Sequence, residues 1–355
     1  MRDPPEGRAD GGAVTPAVIS PAQIVSGARI ARRYLLKSAV FGRPPWNEGG
    51  DKDPLASHTV TTGLLAPLPR AVTGVVLDAS PQILVIGNGG TEERFALTAD
   101  ASAWRGAKTD PAAIRAGDQA VVRRHNASRE VADRIWANIG RVSGTIIERN
   151  RDTFLVDCGS RGQQALVMPH TATGKIQVRF PRLEPGYLID IIGVRRDGYL
   201  EGLVPATYQP PYRADHVPAP PLINGHLPVS IQGSAVWHEP GGEPRGLTGL
   251  AYPAVDPHSD ATTASPAPAG QASGCVSLPY LSIGSLLRVR NDCTEACRVL
   301  PVTGSAALAT LFCDRSVTCG PSPRGRIADL TLASFVELGG ELHEGCFNAT
   351  IEIEG

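Results

Sequence analysis

The sequence has few aromatic residues, almost no net charge and no long apolar run. Aromatic side chains make up 5% of the 355 residues, and the formal net charge is −1. A nucleic-acid-binding protein usually presents a basic face, so the balanced charge predicts no nucleic-acid partner. No apolar run approaches the roughly 20 residues that span a bilayer, so we expect no transmembrane segment.

The chain also lacks a CxxC pair, although it contains seven cysteines. Zinc sites typically use closely spaced cysteine pairs or histidines, and the cysteine pairs Cys293/Cys297 and Cys313/Cys319, separated by three and five residues, have no histidine nearby. We therefore expect no metal site, and no motif indicates a cofactor.

Glycine and proline are abundant, with 39 and 31 residues respectively. This composition favours short strands and many turns over long helices. A chain of this length can hold two or three domains, each with its own core. We therefore predict a mostly β protein with several small domains.

Residues 1–58 show no sustained hydrophobic periodicity, which predicts a disordered arm. Within it the stretch ARRYLLK, which contains Arg32 and Arg33, is similar to the twin-arginine export motif R-R-x-F-L-K. The apolar segment that such a signal needs ends early, at Arg43. The alternative interpretation is a short amphipathic helix with solvated basic residues.

An internal repeat covers residues 59–206 and becomes visible when the register is shifted by 70 residues. The first two strands of each copy correspond in this register: Gly74–Asp78 with Gly144–Glu148, and Ile83–Ile86 with Thr153–Val156. A turn containing Gly117 or Gly186 then precedes an apolar strand at an offset of 69. The pattern predicts two tandem five-stranded OB-like barrels, residues 59–135 and 136–206.

OB-like barrels often bind oligonucleotides or sugars, but stacking and basic residues are scattered in both copies. We therefore interpret Trp104 and Trp136 as core or interface residues. The repeats are expected to act as spacer or interaction modules, with an envelope protein as a partner. A proline-rich linker, residues 207–230, should separate them from the C-terminal domain, residues 231–355.

The C-terminal domain contains six of the seven cysteines. An even, dense set of cysteines in a small β domain predicts disulfides and an oxidising compartment. The pairing remains open among Cys275, Cys293, Cys297, Cys313, Cys319 and Cys346. Cys158 stands apart in the second repeat and is expected to remain a thiol.

The end of the chain is predicted to form a strand, a short helix and a final strand. Arg326–Thr331 has strand character, and Thr331 is a suitable N-cap for the apolar helix that follows. Gly339 and Gly340 should end this helix. Apolar residues then alternate from Phe347 to Ile353, as in a strand with one buried face.

Three segments of the C-terminal domain, in order, resemble the double-psi β-barrel of rare lipoprotein A and the expansins. Gly233–Trp237 resembles the family's opening strand, and Cys275–Val289 its pattern A-H-x-x-L-P-x-G-T-x-x-R-V. Gly320 and Pro321 followed by Arg326–Thr331 resemble its DRGP and R-I-I-D-L-S. The resemblance implies a six-stranded double-psi β-barrel that acts on a polysaccharide.

The resemblance also implies candidate site residues. The family histidine falls on Cys275 and the DRGP aspartate on Cys319, so the nearest substitute is Asp314, while Asp329 matches directly. The implied catalytic residues are Asp314 and Asp329, and the implied ligand-binding residues are Trp237, His258 and Asp329. Asp329 has an equally good structural interpretation, as an acceptor of backbone N–H groups ahead of the helix.

Together these features predict a secreted or cell-envelope protein that binds peptidoglycan or another polysaccharide without efficient catalysis. Loss of the family histidine and DRGP aspartate motivates the second part of this expectation. One alternative is a lytic transglycosylase that uses Asp314 and Asp329. The other is a structural envelope protein with no affinity for glycans.

Overall fold

The computed structural model describes residues 70–353, apart from 126–127, 129, 217–229, 240–245, 256–274, 317–319 and 321–322. Arg32, Arg33, His258 and Cys319 lie outside the described residues. The described part is mostly β, as the composition predicts, and its strands form three closed barrels. All three barrels belong to one compact unit.

Barrel 1 is built from the first repeat. Its strands are β1 (Ala71–Ala79), β2 (Ile83–Asn88), β3 (Thr91–Trp104), β4 (Lys108–Thr109), β5 (Gln119–Arg124) and β6 (Val131–Ala137). Five of them close the barrel in the order β1-β2-β3-β6-β5, and the short β4 pairs with the end of β3. The β3 and β6 strands are parallel, and the other pairs in the ring are antiparallel.

Barrel 2 repeats this topology. Its elements are β7 (Ile139–Asn150), β8 (Thr153–Asp157), β9 (Gln163–Val167), α1 (His170–Arg179), β10 (Leu188–Arg196) and β11 (Tyr199–Pro205). The strand order is β7-β8-β9-β11-β10, with β9 and β11 parallel. Both barrels therefore have the five-stranded OB-like arrangement that the repeat predicts.

The two barrels also share local irregularities at the predicted offset. The first strand pair is interrupted between Val76 and Asp78 in barrel 1 and between Ile146 and Glu148 in barrel 2. Such irregularities bend a strand and help to close a barrel. Their equivalent positions confirm that the 70-residue repeat is structural.

A glycine of the first strand marks a close backbone approach in each copy. A Cβ on Gly74 would lie 2.6 Å from the carbonyl oxygen of Gly87. A Cβ on Gly144 would lie 1.9 Å from the carbonyl oxygen of Asp157. Only a residue without a side chain allows the strands to cross this closely.

Barrel 3 has six strands. Its elements are β12 (Ser230–His238), β13 (Leu250–Tyr252), β14 (Leu286–Asn291), β15 (Cys297–Ser305), β16 (Arg326–Thr331), α2 (Leu332–Glu337) and β17 (Cys346–Ile353). The closed order is β12-β16-β13-β15-β14-β17, with β12/β16 and β13/β15 parallel. The strand pairing has an internal two-fold symmetry. If β12 is exchanged with β15, β13 with β16 and β14 with β17, the same set of strand pairs results. Barrel 3 thus consists of two interlocked three-stranded halves, as expected of a double-psi barrel.

The predicted strand, helix and final strand at the end of the chain are confirmed. The Thr331 hydroxyl caps α2 by accepting a hydrogen bond from the Ser334 amide at 3.3 Å. Gly339 follows the helix with a φ of 79°, a conformation that favours glycine. The helix is buried over most of its length and packs into the core beside β17.

One hydrophobic cluster extends across all three barrels. Trp104 and Trp136 of barrel 1 join it, together with Ile192 and Val194 of barrel 2 and the interior of barrel 3. Both tryptophans are therefore interface residues, as the sequence indicates. The predicted connector is not a free spacer over its first part, because Thr207 is buried and the Ala206 amide donates to the Asp190 carbonyl at 2.9 Å.

The disulfide prediction is correct for three of the described C-terminal cysteines and wrong for two others. Cys275 and Cys313 form a disulfide with their Cα atoms 5.0 Å apart, and Cys293 is also disulfide-bonded. Cys297 and Cys346 are free thiols. They begin β15 and β17, and the barrel topology holds these strands away from any cysteine with which they could form a disulfide. Cys158 is a buried thiol, as expected.

We predict that Gly144→Ala destabilises the protein by about 1–3 kcal/mol, because the added Cβ overlaps a carbonyl oxygen that cannot move freely. Gly174→Ala, in α1 with open space around it, is the control and should stabilise the protein by about 0.5–1 kcal/mol. Urea denaturation of both variants measures the difference. Equal stability of the two variants would show that the close strand crossing is not a constraint.

We further predict that iodoacetamide at pH 8 modifies Cys297 first among the three free thiols of the described residues. Cys158 and Cys346 are buried, and burial raises their pKa values to about 11 and about 12. Because the thiolate is the nucleophile, both should react only after unfolding. Peptide mass mapping after timed alkylation gives the order, and early modification of Cys346 would contradict the buried position.

Candidate functional site

A network of buried ion pairs joins barrel 2 to barrel 3. Arg326, the first residue of β16, donates to Asp314 and, through Nη2 at 2.6 Å, to Asp190 of β10. Arg141 of β7 donates to the same Asp190 from Nε at 2.8 Å and from Nη2 at 2.6 Å. The Arg326 Nη1 also donates to the Ser143 hydroxyl at 3.0 Å. The two guanidiniums and two carboxylates balance, so this network carries no net charge.

This network assigns Asp314 a structural role. Its carboxylate is fully buried, is ion-paired with Arg326 and accepts a 2.6 Å hydrogen bond from the Ser234 hydroxyl. Burial would lower the pKa of Arg326, but Asp314 and Asp190 outweigh it and raise that pKa. A carboxylate enclosed in this way has no route to a polysaccharide, so the structure does not support the catalytic role that the resemblance implied.

Trp237 is also unsuited to the ligand-binding role that we expected. It is 1% exposed, and its indole Nε1 donates to the carbonyl of Leu342 at 3.0 Å. Successive side chains of a strand point to opposite faces, and Trp237 occupies an inward position of β12 within the shared core. The tryptophan therefore packs the barrel interior.

Asp329 lies on the opposite face, beside a histidine that the sequence did not single out. Parallel pairing of β12 and β16 places Val236 next to Asp329 and His238 next to Thr331. The His238 Nδ1 is 3.2 Å from the Asp329 Oδ1. Arg161, from the turn between β8 and β9, brings Nη2 to 3.8 Å from Oδ2. A cation of barrel 2 therefore reaches a carboxylate of barrel 3.

The charges around Asp329 keep it ionised. Burial alone would raise the pKa of this carboxyl, but His238 and Arg161 outweigh burial and hold the pKa well below its usual range. An ionised carboxylate only accepts hydrogen bonds, so the His238 Nδ1 carries the proton that it donates. The side chains of Asp329, His238 and Arg161 remain 10%, 12% and 22% exposed.

The residue after His238 extends this arrangement. Glu239 is ion-paired with Arg195 at the end of β10, and it accepts a hydrogen bond from the backbone amide of Arg141. We call the set Arg161, Arg195, His238, Glu239 and Asp329 the Asp329 seam. It offers two carboxylates, an imidazole and two guanidiniums along the line where barrels 2 and 3 meet.

Sequence reasoning identified one member of this seam by motif. Asp329 is a candidate in the sequence, and His238 stands immediately after the G-S-A-V-W stretch that resembles the family's opening strand. This position is the available signal for His238. No local pattern distinguishes Arg161, because it belongs to a different barrel and meets Asp329 only through docking.

Within the described ranges, no group of three or more histidine, cysteine or acidic side chains could hold a metal ion. No helix in that part of the chain has both the length and the apolar character that crossing a membrane requires.

No family model and no curated protein matches the chain. Among solved structures, it is similar to a multidomain protein with nucleic acid binding domains from Streptococcus pneumoniae, at 15% sequence identity and a TM-score of 0.14. The match covers 49% of this chain and 56% of that protein. The chain therefore spans little more than half the length of this neighbour.

This comparison contradicts the prediction that nucleic acid is not a partner, since the neighbour is described as having nucleic acid binding domains. We withdraw that exclusion. The balanced net charge on which it was based describes the whole chain, whereas binding depends on the local distribution of charge. A likeness at this TM-score supports no further conclusion.

We predict that Asp329→Asn lowers the free energy of unfolding at pH 7 by on the order of 3 kcal/mol, because it leaves the half-buried Arg161 guanidinium and the His238 imidazole without their charged acceptor. The pKa of Asp329 is depressed in the fold. Its stabilising contribution is therefore complete above the ordinary value of 3.8 and is lost as the pH falls through the folded value.

Chemical denaturation at pH 7 and at several pH values below 4 measures this effect. The difference between wild type and Asp329→Asn should shrink as the pH falls. Asp197→Asn, at an exposed turn, is the matched control and should behave as wild type throughout. A difference that stays constant with pH would show that the Asp329 charge contributes nothing to stability.

Proposed function

We propose that the protein acts in the cell envelope and that the Asp329 seam binds a polysaccharide such as peptidoglycan, with little or no cleavage. The observation that carries this proposal is the ionised Asp329 carboxylate held between His238 and Arg161. Charged groups make stronger hydrogen bonds than neutral ones. A carboxylate, an imidazole and guanidiniums in one seam are therefore suitable partners for sugar hydroxyl and amide groups.

The same geometry argues against efficient cleavage. Glycosidic bond cleavage requires a proton donor at the leaving oxygen, and an aspartate with a depressed pKa is already deprotonated at neutral pH. Asp314 is enclosed in ion pairs, and Cys275, at the family histidine position, is consumed in a disulfide. Neither residue can replace the missing acid.

The proposed compartment is supported by the cysteine chemistry. Disulfides persist in oxidising compartments and are rare in reducing ones, and the Cys275–Cys313 bond joins two segments of barrel 3. Of the free thiols among the described residues, Cys158 and Cys346 are buried with raised pKa values, and Cys297 is partly exposed. Buried thiols of this kind are unreactive, so they are compatible with an oxidising environment.

The alternative enzyme is a lytic transglycosylase in which His238, oriented by Asp329, transfers the proton. The contact that favours it is the 3.2 Å pair between His238 Nδ1 and Asp329 Oδ1, since a carboxylate commonly orients a catalytic imidazole. Binding and cleavage then differ in one observable, the release of soluble fragments.

We predict that the full-length protein sediments with purified peptidoglycan sacculi and releases no soluble muropeptides. Asp329→Asn should weaken binding about tenfold, the effect of losing one charge-assisted hydrogen bond. Asp197→Asn is the control and should bind as wild type. The full chain is required because an isolated barrel 3 would expose Arg326 and Asp314.

Two results would overturn this proposal. Release of muropeptides that disappears in His238→Gln would identify an enzyme instead. Failure of the wild-type protein to sediment with sacculi would reject both functions and leave the structural alternative.

A further inference from the structure

Three arginines from separate segments surround the ring of Tyr208. Arg179 is the last residue of α1, whereas Arg315 and Arg324 belong to the segment between β15 and β16. Their guanidinium carbons lie 5.5, 6.0 and 5.2 Å, respectively, from the centre of the Tyr208 ring. Guanidinium groups are attracted to an aromatic ring at such distances. We call these four residues the Tyr208 cluster.

The backbone fixes the cluster in place. The Tyr208 amide donates to the carbonyl of Arg315 at 3.4 Å, which joins the chain leaving barrel 2 to barrel 3. The Arg324 Nη1 donates to the carbonyl of Cys313, also at 3.4 Å, and Cys313 is held by its disulfide. The arginines are half-buried, so their positions are restrained while their charges remain accessible.

The charge of the cluster is not neutralised by the described residues. No carboxylate in that part of the chain lies within 4.0 Å of Arg179, Arg315 or Arg324. The Nε of Arg315 is in addition a buried donor with no acceptor among the described residues. The buried arginines Arg141 and Arg326 differ, since each of them is paired with an aspartate.

The three guanidiniums of the cluster carry positive charge that no carboxylate of the described residues neutralises. The three positive charges repel one another, and the cation–π contacts with Tyr208 offset this repulsion only in part. A buried donor with no acceptor is also unfavourable, because it has lost its hydrogen bonds to water. An anion bound against the three guanidiniums would relieve both effects.

We propose that the Tyr208 cluster is a binding site for a phosphate group, either free or carried on a lipid headgroup. A phosphate presents at least three acceptor oxygens with a charge of about −1.5 to −2, whereas a carboxylate presents two oxygens and a single charge. Guanidinium forks match phosphate oxygens in bidentate geometry. The site uses none of the residues of the Asp329 seam, so each proposal can be tested independently of the other.

The test is calorimetric titration of the full-length protein with inorganic pyrophosphate at low ionic strength. Arg179→Gln and Arg324→Gln should each raise the dissociation constant about tenfold, the effect of one charge-assisted hydrogen bond. Arg196→Gln is the control, because it removes the same charge from an exposed ion pair with Glu201. It should leave pyrophosphate binding unchanged.

Folding is checked by thermal unfolding of each variant. Arg179 lies at the end of a surface helix, so Arg179→Gln should retain the fold. This variant tests the proposal even if changes at Arg315 or Arg324 prevent folding. Arg324→Lys keeps the charge but loses the fork, and it should bind more weakly than wild type and more tightly than Arg324→Gln.

Vesicles of phosphatidylglycerol in phosphatidylcholine distinguish the sources of phosphate. Flotation with these vesicles that depends on Arg179 and is competed by pyrophosphate indicates a lipid headgroup, whereas pyrophosphate binding without flotation indicates a free phosphate. Three results would overturn the proposal: absence of pyrophosphate binding, equal weakening in Arg196→Gln, or citrate binding as tightly as pyrophosphate, which would show a response to charge alone.

Discussion

Arg326 lies between Asp190 of barrel 2 and Asp314 of barrel 3, and its contacts with both hold the two barrels together. Removing one partner from a buried ion pair costs about 3–5 kcal/mol, because it leaves a charge in a medium that solvates it poorly. Arg141 completes the balance by pairing with Asp190. Neither barrel can bury these charges without the other, so the docking of barrels 2 and 3 is a condition of the fold.

The same docking creates both proposed sites. It brings Arg161 of barrel 2 to Asp329 of barrel 3, and it brings Arg179 to the ring that Arg315 and Arg324 also approach. The OB-like repeats are therefore more than spacers in this protein. Barrel 2 contributes charged side chains to the surface of barrel 3. Barrel 1 joins the hydrophobic cluster that it shares with the other two barrels through Trp104 and Trp136.

The sequence by itself determined the elements and their repetition. Alternating apolar residues and the glycines Gly74 and Gly144 define equivalent strands, since a close strand crossing excludes any side chain. The strand, helix and final strand at the end of the chain were likewise predictable. Thr331 caps the helix through a hydrogen bond from Ser334, which is only three residues away in the sequence. These features depend on neighbours in the chain or on a fixed period, and both are visible in a single sequence.

Only the tertiary structure decided which polar residues meet. Asp314 and Asp329 resemble each other as candidates in the sequence, yet the first is enclosed by Arg326 and the second faces His238. The cysteines show the same limit of sequence reasoning. Cys346 belongs to the dense C-terminal set of cysteines that predicts disulfides, yet it is a buried free thiol at the start of β17. The decisive contacts join residues that are far apart in the sequence, such as Asp190 and Arg326, which are separated by 136 positions. Local patterns specify the face of a strand, whereas the docking of barrels specifies what that face touches.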